Sequence, residues 1–185
     1  AGSNLLINNV FIKGLVICTK KMKSLTIEPH TGLVEAEAGV MLPTLSNYLA
    51  KNKLQGGEWA VGIPGTLGGA IYMNAGTGDL SLAKNLISVK VINNKTLEKL
   101  EIDKKDIKFD YRFSSFQSNE LGIISAKLHF APNGNLKELI EKTKNNLKFK
   151  TKRQPYHLPS FGSVFKNPEN SYAAKLIDDM GLKGF

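Results

Sequence analysis

An α+β fold is what this sequence predicts, and three observations predict it. Alternating apolar and polar residues mark strands paired across turn-forming clusters. Other stretches repeat apolar residues at helical spacing. Strands and helices do not alternate regularly, as they would in a doubly wound sheet.

Leu5–Ile7 and Leu15–Thr19 are short apolar runs separated by Asn8-Asn9 and Lys13-Gly14, which reads as two strands and a turn. Cys18, the single cysteine, sits in the second run and reads as a buried core residue and not a nucleophile. Residues 25–28 and 33–38 flank Pro29-His30-Thr31-Gly32; Val34, Ala36 and Ala38 then alternate with Glu35 and Glu37, the pattern of a half-buried strand. His30 belongs to the turn, with no second metal ligand at useful spacing, and no metal site is expected.

From Leu42 to Asn52, Leu42, Leu45 and Leu49 recur at helical spacing, with Pro43 suited to the first turn. Residues 86–92 and 97–102 flank Asn93-Asn94-Lys95-Thr96 as a second hairpin, and Ile123–Phe130 is a strand with Ile124, Ala126, Leu128 and Phe130 on one face. Leu136, Leu139, Ile140, Thr143 and Leu147 mark an amphipathic helix, with Asn135 as N-cap and Glu138 in the capping-box position. Gln154–Pro159 is a stiff connector suited to a domain boundary. A last helix is expected from Tyr172 to Met180, capped by Ser171 and ended by Gly181.

A chain of 185 residues, 42% apolar and 22% charged, can bury a core without disulfides or metal, which excludes disorder as its main state. One cysteine allows no disulfide framework, so a reducing compartment is expected. No run reaches the ~18 apolar residues of a membrane span. The net charge of +9 invites a nucleic-acid-binding reading, but the lysines are spread along the chain without interleaved aromatics. A solvated surface, or attraction of an anionic nucleotide-sugar, fits the charge equally.

Four segments carry candidate chemistry. In Gly62-Ile63-Pro64-Gly65-Thr66-Leu67-Gly68-Gly69-Ala70, followed by Asn74 and Gly76, four glycines within eight residues suit close approach of a ligand, positive φ and exposed N–H groups. The run matches neither standard nucleotide loop, and composition alone leaves a plain turn open. Ala1-Gly2-Ser3-Asn4 leads small polar residues into an apolar run, as a pyrophosphate site or an ordinary turn does. Asp110–Phe116 places Arg112 among aromatics, either to stabilise a developing oxyanion or simply to stack on the rings. Ser160–Pro168 holds Ser163 among small residues without the spacing of a hydrolase elbow, so a hydrolytic triad is unsupported.

Taken in order, Ala-Gly-Ser-Asn-Leu-Leu, Gly-Ile-Pro-Gly-Thr-Leu-Gly-Gly-Ala-(x)3-Asn-Ala-Gly, Tyr-Arg-x-Ser-x-Phe and Gln-Pro…Pro-Ser-x-Gly-Ser-Val-Phe-Lys-Asn-Pro resemble the signatures of UDP-N-acetylenolpyruvoylglucosamine reductases across essentially the whole chain. The resemblance implies a FAD-binding fold of the vanillyl-alcohol-oxidase type. It assigns residues 1–150 to the FAD-binding domain and 151–185 to the start of an α+β substrate-binding domain, with the chain cut short at both ends. It implies that NADPH reduces FAD and that the flavin then reduces the enolpyruvyl double bond of UDP-N-acetylglucosamine enolpyruvate, giving UDP-N-acetylmuramate for peptidoglycan synthesis in the cytoplasm. Gly2, Ser3 and Asn4 would face the FAD pyrophosphate; Gly62, Ile63, Pro64, Gly65, Thr66, Gly68 and Gly69, with Asn74 and Gly76, would approach pyrophosphate and isoalloxazine. Arg112 would stabilise the enolate-like intermediate and Ser163 would give the proton.

The family's catalytic glutamate lies beyond residue 185, so residues 1–185 alone are expected to be inactive. The short path from Phe130 to Asn135 matches the subclass without a long insertion there. Neither 1–7 nor 62–69 contains a histidine or cysteine, so the FAD is expected to be held without a covalent bond. A monomer binding neither nucleic acid nor membrane is expected. The rival readings are another FAD-dependent oxidoreductase of this fold and a basic nucleic-acid-binding module.

Overall fold

The computed structural model describes residues 2, 4–7, 11, 13–154, 158 and 161–184. Its centre is a five-stranded antiparallel sheet. Strands β1 (Leu25–Glu28) and β2 (Leu33–Glu37) form the first predicted hairpin, and Gly32, at φ +76°, supplies the left-handed turn residue between them. Helix α1 (Leu42–Lys51) and helix α2 (Leu67–Tyr72) follow, then two short pairs, β3 (Gly76–Thr77) with β4 (Leu80–Ser81) and, further on, β7 (Phe109–Asp110) with β8 (Phe113–Ser114). Between these pairs lies the second predicted hairpin, β5 (Leu86–Asn93) and β6 (Lys99–Asp103), and β9 (Leu121–His129) completes the sheet in the order β1-β2-β9-β5-β6. The chain continues into α3 (Leu136–Arg153) and α4 (Ala173–Asp179). The α+β expectation holds.

Register explains the core. Val34 pairs with Leu128, Ala36 with Ala126, and Val89 with Ala126, so the apolar members of three strands share one face and are all buried. Leu42, Leu45 and Leu49 on α1, Leu67 and Ile71 on α2, and Phe116 join the same cluster. On the other face Lys127 sits between Glu101 at 3.1 Å and Glu35 at 3.7 Å. The Ser88 hydroxyl and then Lys127 hold the Glu101 carboxyl below its usual range.

Four local readings need correction. Among the described residues of 2–18 there is no strand, and Leu5–Ile7 and Leu15–Ile17 are exposed. Cys18 is exposed as well, not buried. An apolar run becomes a strand only when it pairs with a neighbour, and no described residue before Leu25 pairs with β1, whose one partner is β2. On α3, Leu139 and Thr143 are buried but Leu136 and Leu147 are exposed, because only one narrow strip of the helix meets α1 and the turn Glu58–Gly62. On α4 the N-cap position is Tyr172, not Ser171, and the Asn167 side chain accepts from the Ala173 N–H instead. The Asn135 N-cap and Gly181 terminator readings hold. Asn135 Oδ1 accepts from the N–H groups of Lys137 (3.0 Å) and Glu138 (3.2 Å), and Gly181 ends α4 at φ +72°.

Candidate functional site

The glycine-rich segment starts from a fixed point. Glu58 is buried, accepts from the Gly56 N–H through both oxygens at 3.2 Å, and meets Lys142 of α3 at 3.6 Å, so its charge is compensated where it lies. Trp59 Nε1 donates to the Gly56 carbonyl at 3.0 Å. From there the loop is stitched onto the segment entering α1. The Leu42 N–H donates to Gly65 O (3.0 Å), Leu67 N–H to Val40 O (2.8 Å), and Gly68 N–H to Ala38 O (2.9 Å).

These bonds revise the reading of the glycines. None of Gly62, Gly65, Gly68 and Gly69 has positive φ, and the Gly68 N–H faces Ala38 O instead of an open ligand space. What two of them supply is room. A Cβ on Gly68 would lie 2.9 Å from Ala38 Cβ, and one on Gly62 would lie 2.5 Å from Lys150 Cδ. Gly65 and Gly69 are different: the nearest atoms to a Cβ there are Asn4 Nδ2 at 3.9 Å and Thr66 Oγ1 at 3.7 Å, so both present open backbone. Ile63 is half-buried, Pro64 exposed, and Thr66 buried at the start of α2.

The two small-residue motifs meet. Asn4 Nδ2 donates to the Pro64 carbonyl at 2.7 Å. Gly2, at φ +88°, accepts from the Leu5 N–H in the turn that brings Asn4 there. Ser3 lies outside the described residues.

A second cluster joins the segment after α2 to the β7–β8 turn. Asn74, at φ +42°, donates through Nδ2 to Asp110 O at 2.9 Å, which fixes the orientation of its amide; its Oδ1 is buried and accepts no hydrogen bond. Arg112, itself left-handed at φ +54°, is half-buried, stacks 5.1 Å from the Tyr111 ring and donates to the Gly76 carbonyl at 3.2 Å. Gly76 has no room for a Cβ, because the Leu80 carbonyl passes across it in the β3–β4 pair. Asn74, Gly76 and Arg112, 38 residues apart at their extremes, thus form one cluster. Ser114 Oγ and Gln117 Nε2 both donate to the Tyr72 carbonyl, at 2.7 and 3.0 Å.

Two residues of this region escaped the sequence reading. Gln117 follows the Tyr-Arg-x-Ser-x-Phe motif by one position, and that adjacency was its only signal. Lys150 is one of many lysines on α3, and nothing local marks it. Its stem lies across Gly62; burial holds its ammonium below the usual lysine range, and the Arg112 guanidinium pushes the same way. Ser163 lies in an exposed segment beside Gly162, with no hydrogen bond to Arg112 or to the glycine-rich loop among the described residues. Chemically, the arrangement offers open glycine backbone around the start of α2, and a buried acceptor without a donor and a held cation beyond its end.

Comparisons with known proteins place the chain among relatives. A family model described as FAD binding domain matches residues 1–96, and one described as UDP-N-acetylenolpyruvoylglucosamine reductase, C-terminal domain, matches residues 154–185. UDP-N-acetylenolpyruvoylglucosamine reductase of Prochlorococcus marinus subsp. pastoris (strain CCMP1986 / NIES-2087 / MED4) is 70% identical over 100% of this chain, which covers 62% of that protein. The reductase of Synechococcus sp. (strain RCC307) is 44% identical over 100% of this chain, which covers 60% of it. The chain thus spans about three-fifths of the curated relatives it matches. A crystal structure of UDP-N-acetylenolpyruvylglucosamine reductase from Thermus caldophilus superposes with a TM-score of 0.72 at 31% identity, covering 82% of this chain and 55% of that one.

Proposed function

We infer the function from the premise that this chain belongs to the FAD-binding domain family, in its UDP-N-acetylenolpyruvoylglucosamine reductase branch. The protein containing it uses NADPH to reduce the enolpyruvyl group of UDP-N-acetylglucosamine enolpyruvate to UDP-N-acetylmuramate, a step of peptidoglycan precursor synthesis. Residues 1–150 serve as the FAD-binding domain and 151–185 begin the substrate-binding domain. The reaction belongs in the cytoplasm with a monomeric enzyme. Among the described residues, no helix is long and apolar enough to cross a membrane.

The observation that carries this reading is the cluster of Asn74, Gly76 and Arg112 beside the glycine-rich loop. The residues present suit a flavin nucleotide. Gly65 and Gly69 present open backbone, and the orphaned Asn74 Oδ1 is an acceptor for an N–H or O–H of the cofactor. FAD, when bound, supplies the two-electron chemistry that amino-acid side chains lack. Gly2, Ser3 and Asn4 face the pyrophosphate from one side. The loop of Gly62, Ile63, Pro64, Gly65, Thr66, Gly68 and Gly69 approaches pyrophosphate and isoalloxazine from the other through the open backbone of Gly65 and Gly69, with Gly62 and Gly68 packing the loop in place and no covalent bond.

Reduction converts the enolpyruvyl C=C bond to a single bond with a gain of two hydrogens. One of these hydrogens arrives as hydride at the terminal CH2 carbon, and negative charge then develops on the carbon bearing the carboxylate until the other arrives as a proton. Arg112, held by Gly76 and partly withdrawn from water, is the fixed cation that meets that charge. The Ser163 hydroxyl gives the proton to the same carbon. Lys150, across Gly62, adds a second positive charge near Arg112 and favours an anionic substrate.

The test uses the full-length protein. NADPH should be consumed only when UDP-N-acetylglucosamine enolpyruvate is present, and mass spectrometry should find the sugar nucleotide heavier by two hydrogens. NADPH consumption indifferent to that substrate contradicts the reading, and a colourless preparation that takes up no FAD contradicts it more broadly.

A further inference from the structure

We propose that Gln117 is a positioning residue that fixes the Arg112 guanidinium in the site. The inference rests on the reading of Arg112 as the cation of the reaction.

Arg112 is the second residue of the tight turn between β7 and β8, and its φ of +54° belongs to a region where glycine or asparagine is at home and a long side chain is uncommon. Such a conformation persists only when the surroundings over-determine it. Gln117 supplies the restraint. Its Nε2 carries two hydrogens and donates to two carbonyls, Arg112 O at 3.2 Å and Tyr72 O at 3.0 Å. Tyr72 is the last residue of α2, where helix carbonyls lack intrahelical partners, and its carbonyl also accepts from Ser114 Oγ. The start of α2 is in turn bonded to residues 38–40. A continuous path therefore runs from the core through α2 and Gln117 to the Arg112 backbone, and the guanidinium closes it on Gly76 O. Gln117 is half-buried, with its amide directed at the Arg112 and Tyr72 carbonyls and Nε2 3.5 Å from Met73 Sδ.

The test compares Gln117→Met, which keeps the length but has no donor, Gln117→Glu, which turns the donor into an acceptor facing two carbonyls, and Gln117→Lys, which restores a donor. All are made in the full-length protein. One readout is limited trypsin cleavage after Arg112, which needs a loosened turn and no catalysis. The other is flavin reduction by NADPH and flavin reoxidation by the enolpyruvyl substrate, measured separately. The Met and Glu variants should be cut after Arg112 faster than wild type. They should reoxidise about 10- to 100-fold more slowly, the scale of a displaced catalytic group, while flavin reduction changes little. Gln117→Lys should regain most of both losses. Cleavage at the wild-type rate in the Met and Glu variants overturns the proposal, and so does equal slowing of both half-reactions, which marks a general packing role. Faster cleavage in those variants together with wild-type reoxidation in Arg112→Ala upholds the positioning and refutes the role given to Arg112.

Discussion

The Asn4 side chain donates to the Pro64 carbonyl at 2.7 Å and so ties the first motif of the chain to the middle of the glycine-rich loop. The two segments proposed to enclose the FAD pyrophosphate are joined by one directional bond. Asn4→Ala removes that bond and an amide proposed to face the cofactor. A net hydrogen bond is worth about 1 kcal/mol, so FAD affinity should fall roughly fivefold. Fluorescence titration of the apoprotein with FAD measures it, and an unchanged Kd would show that the junction has no part in binding.

Gly68 and Gly69 are neighbours in α2 with opposite expectations. Gly68→Ala forces a Cβ to within 2.9 Å of Ala38 Cβ and 3.3 Å of Ala38 O, so the helix must shift, at a cost of about 1–3 kcal/mol. Gly69→Ala meets only Thr66 Oγ1 at 3.7 Å and gains up to about 1 kcal/mol in helix propensity. Denaturant unfolding of the apoproteins should therefore order them Gly69→Ala, wild type, Gly68→Ala. FAD titration adds a second criterion, because Gly69→Ala should weaken the cofactor while leaving the fold intact. Similar stability losses in both variants would refute the distinction.

Much of this was legible in the sequence, and the failures share a cause. Leu42, Leu45 and Leu49, the hairpins around Thr31 and Lys95, and the Asn135 cap depend on residues within a few positions of each other, where periodicity and turn chemistry decide. Cys18 and the run before it were misread because burial of a strand depends on a distant edge. The glycine-rich loop was recognised as special, but its glycines make room for Ala38 and Lys150 instead of adopting positive φ. Those neighbours are set by packing of the loop on the β2–α1 connection and on α3. Lys150 and Gln117 gain their roles only from such packing, so no local pattern announced them. Within the Asn74–Gly76–Arg112 cluster, positive φ falls on Asn74 and Arg112 and not on the glycine.

Lys150 gives a pH signature. Burial disfavours its charged form, so the folded protein binds fewer protons there than the unfolded chain does, and stability rises with pH. The rise spans the window from the lowered folded value up to the usual lysine value of about 10.4. Lys150→Met keeps an apolar stem over Gly62 and carries no charge. The variant apoprotein should melt above wild type at pH 7, and the gap should close as pH climbs toward about 10.4. Parallel melting curves across that range, or a gap that widens, contradict the assignment.

Ser163 carries a kinetic prediction. Only the second half-reaction needs a proton donor, so in the full-length protein Ser163→Ala should leave flavin reduction by NADPH near wild type. Reoxidation by the enolpyruvyl substrate should slow by about 10²- to 10⁴-fold, the usual scale for loss of a general acid. Stopped-flow spectroscopy separates the two steps. Equal effects on both would assign Ser163 a structural role.

One flavin, held by these motifs, is proposed to pass reducing equivalents from NADPH to an enolpyruvyl sugar nucleotide. An anaerobic titration tests it directly. One equivalent of NADPH is added to the full-length flavoprotein, then one equivalent of UDP-N-acetylglucosamine enolpyruvate, while the blue absorption of the flavin is followed. The flavin should bleach on the first addition and regain its full oxidised spectrum on the second. A flavin that stays bleached after the sugar nucleotide is added would contradict it.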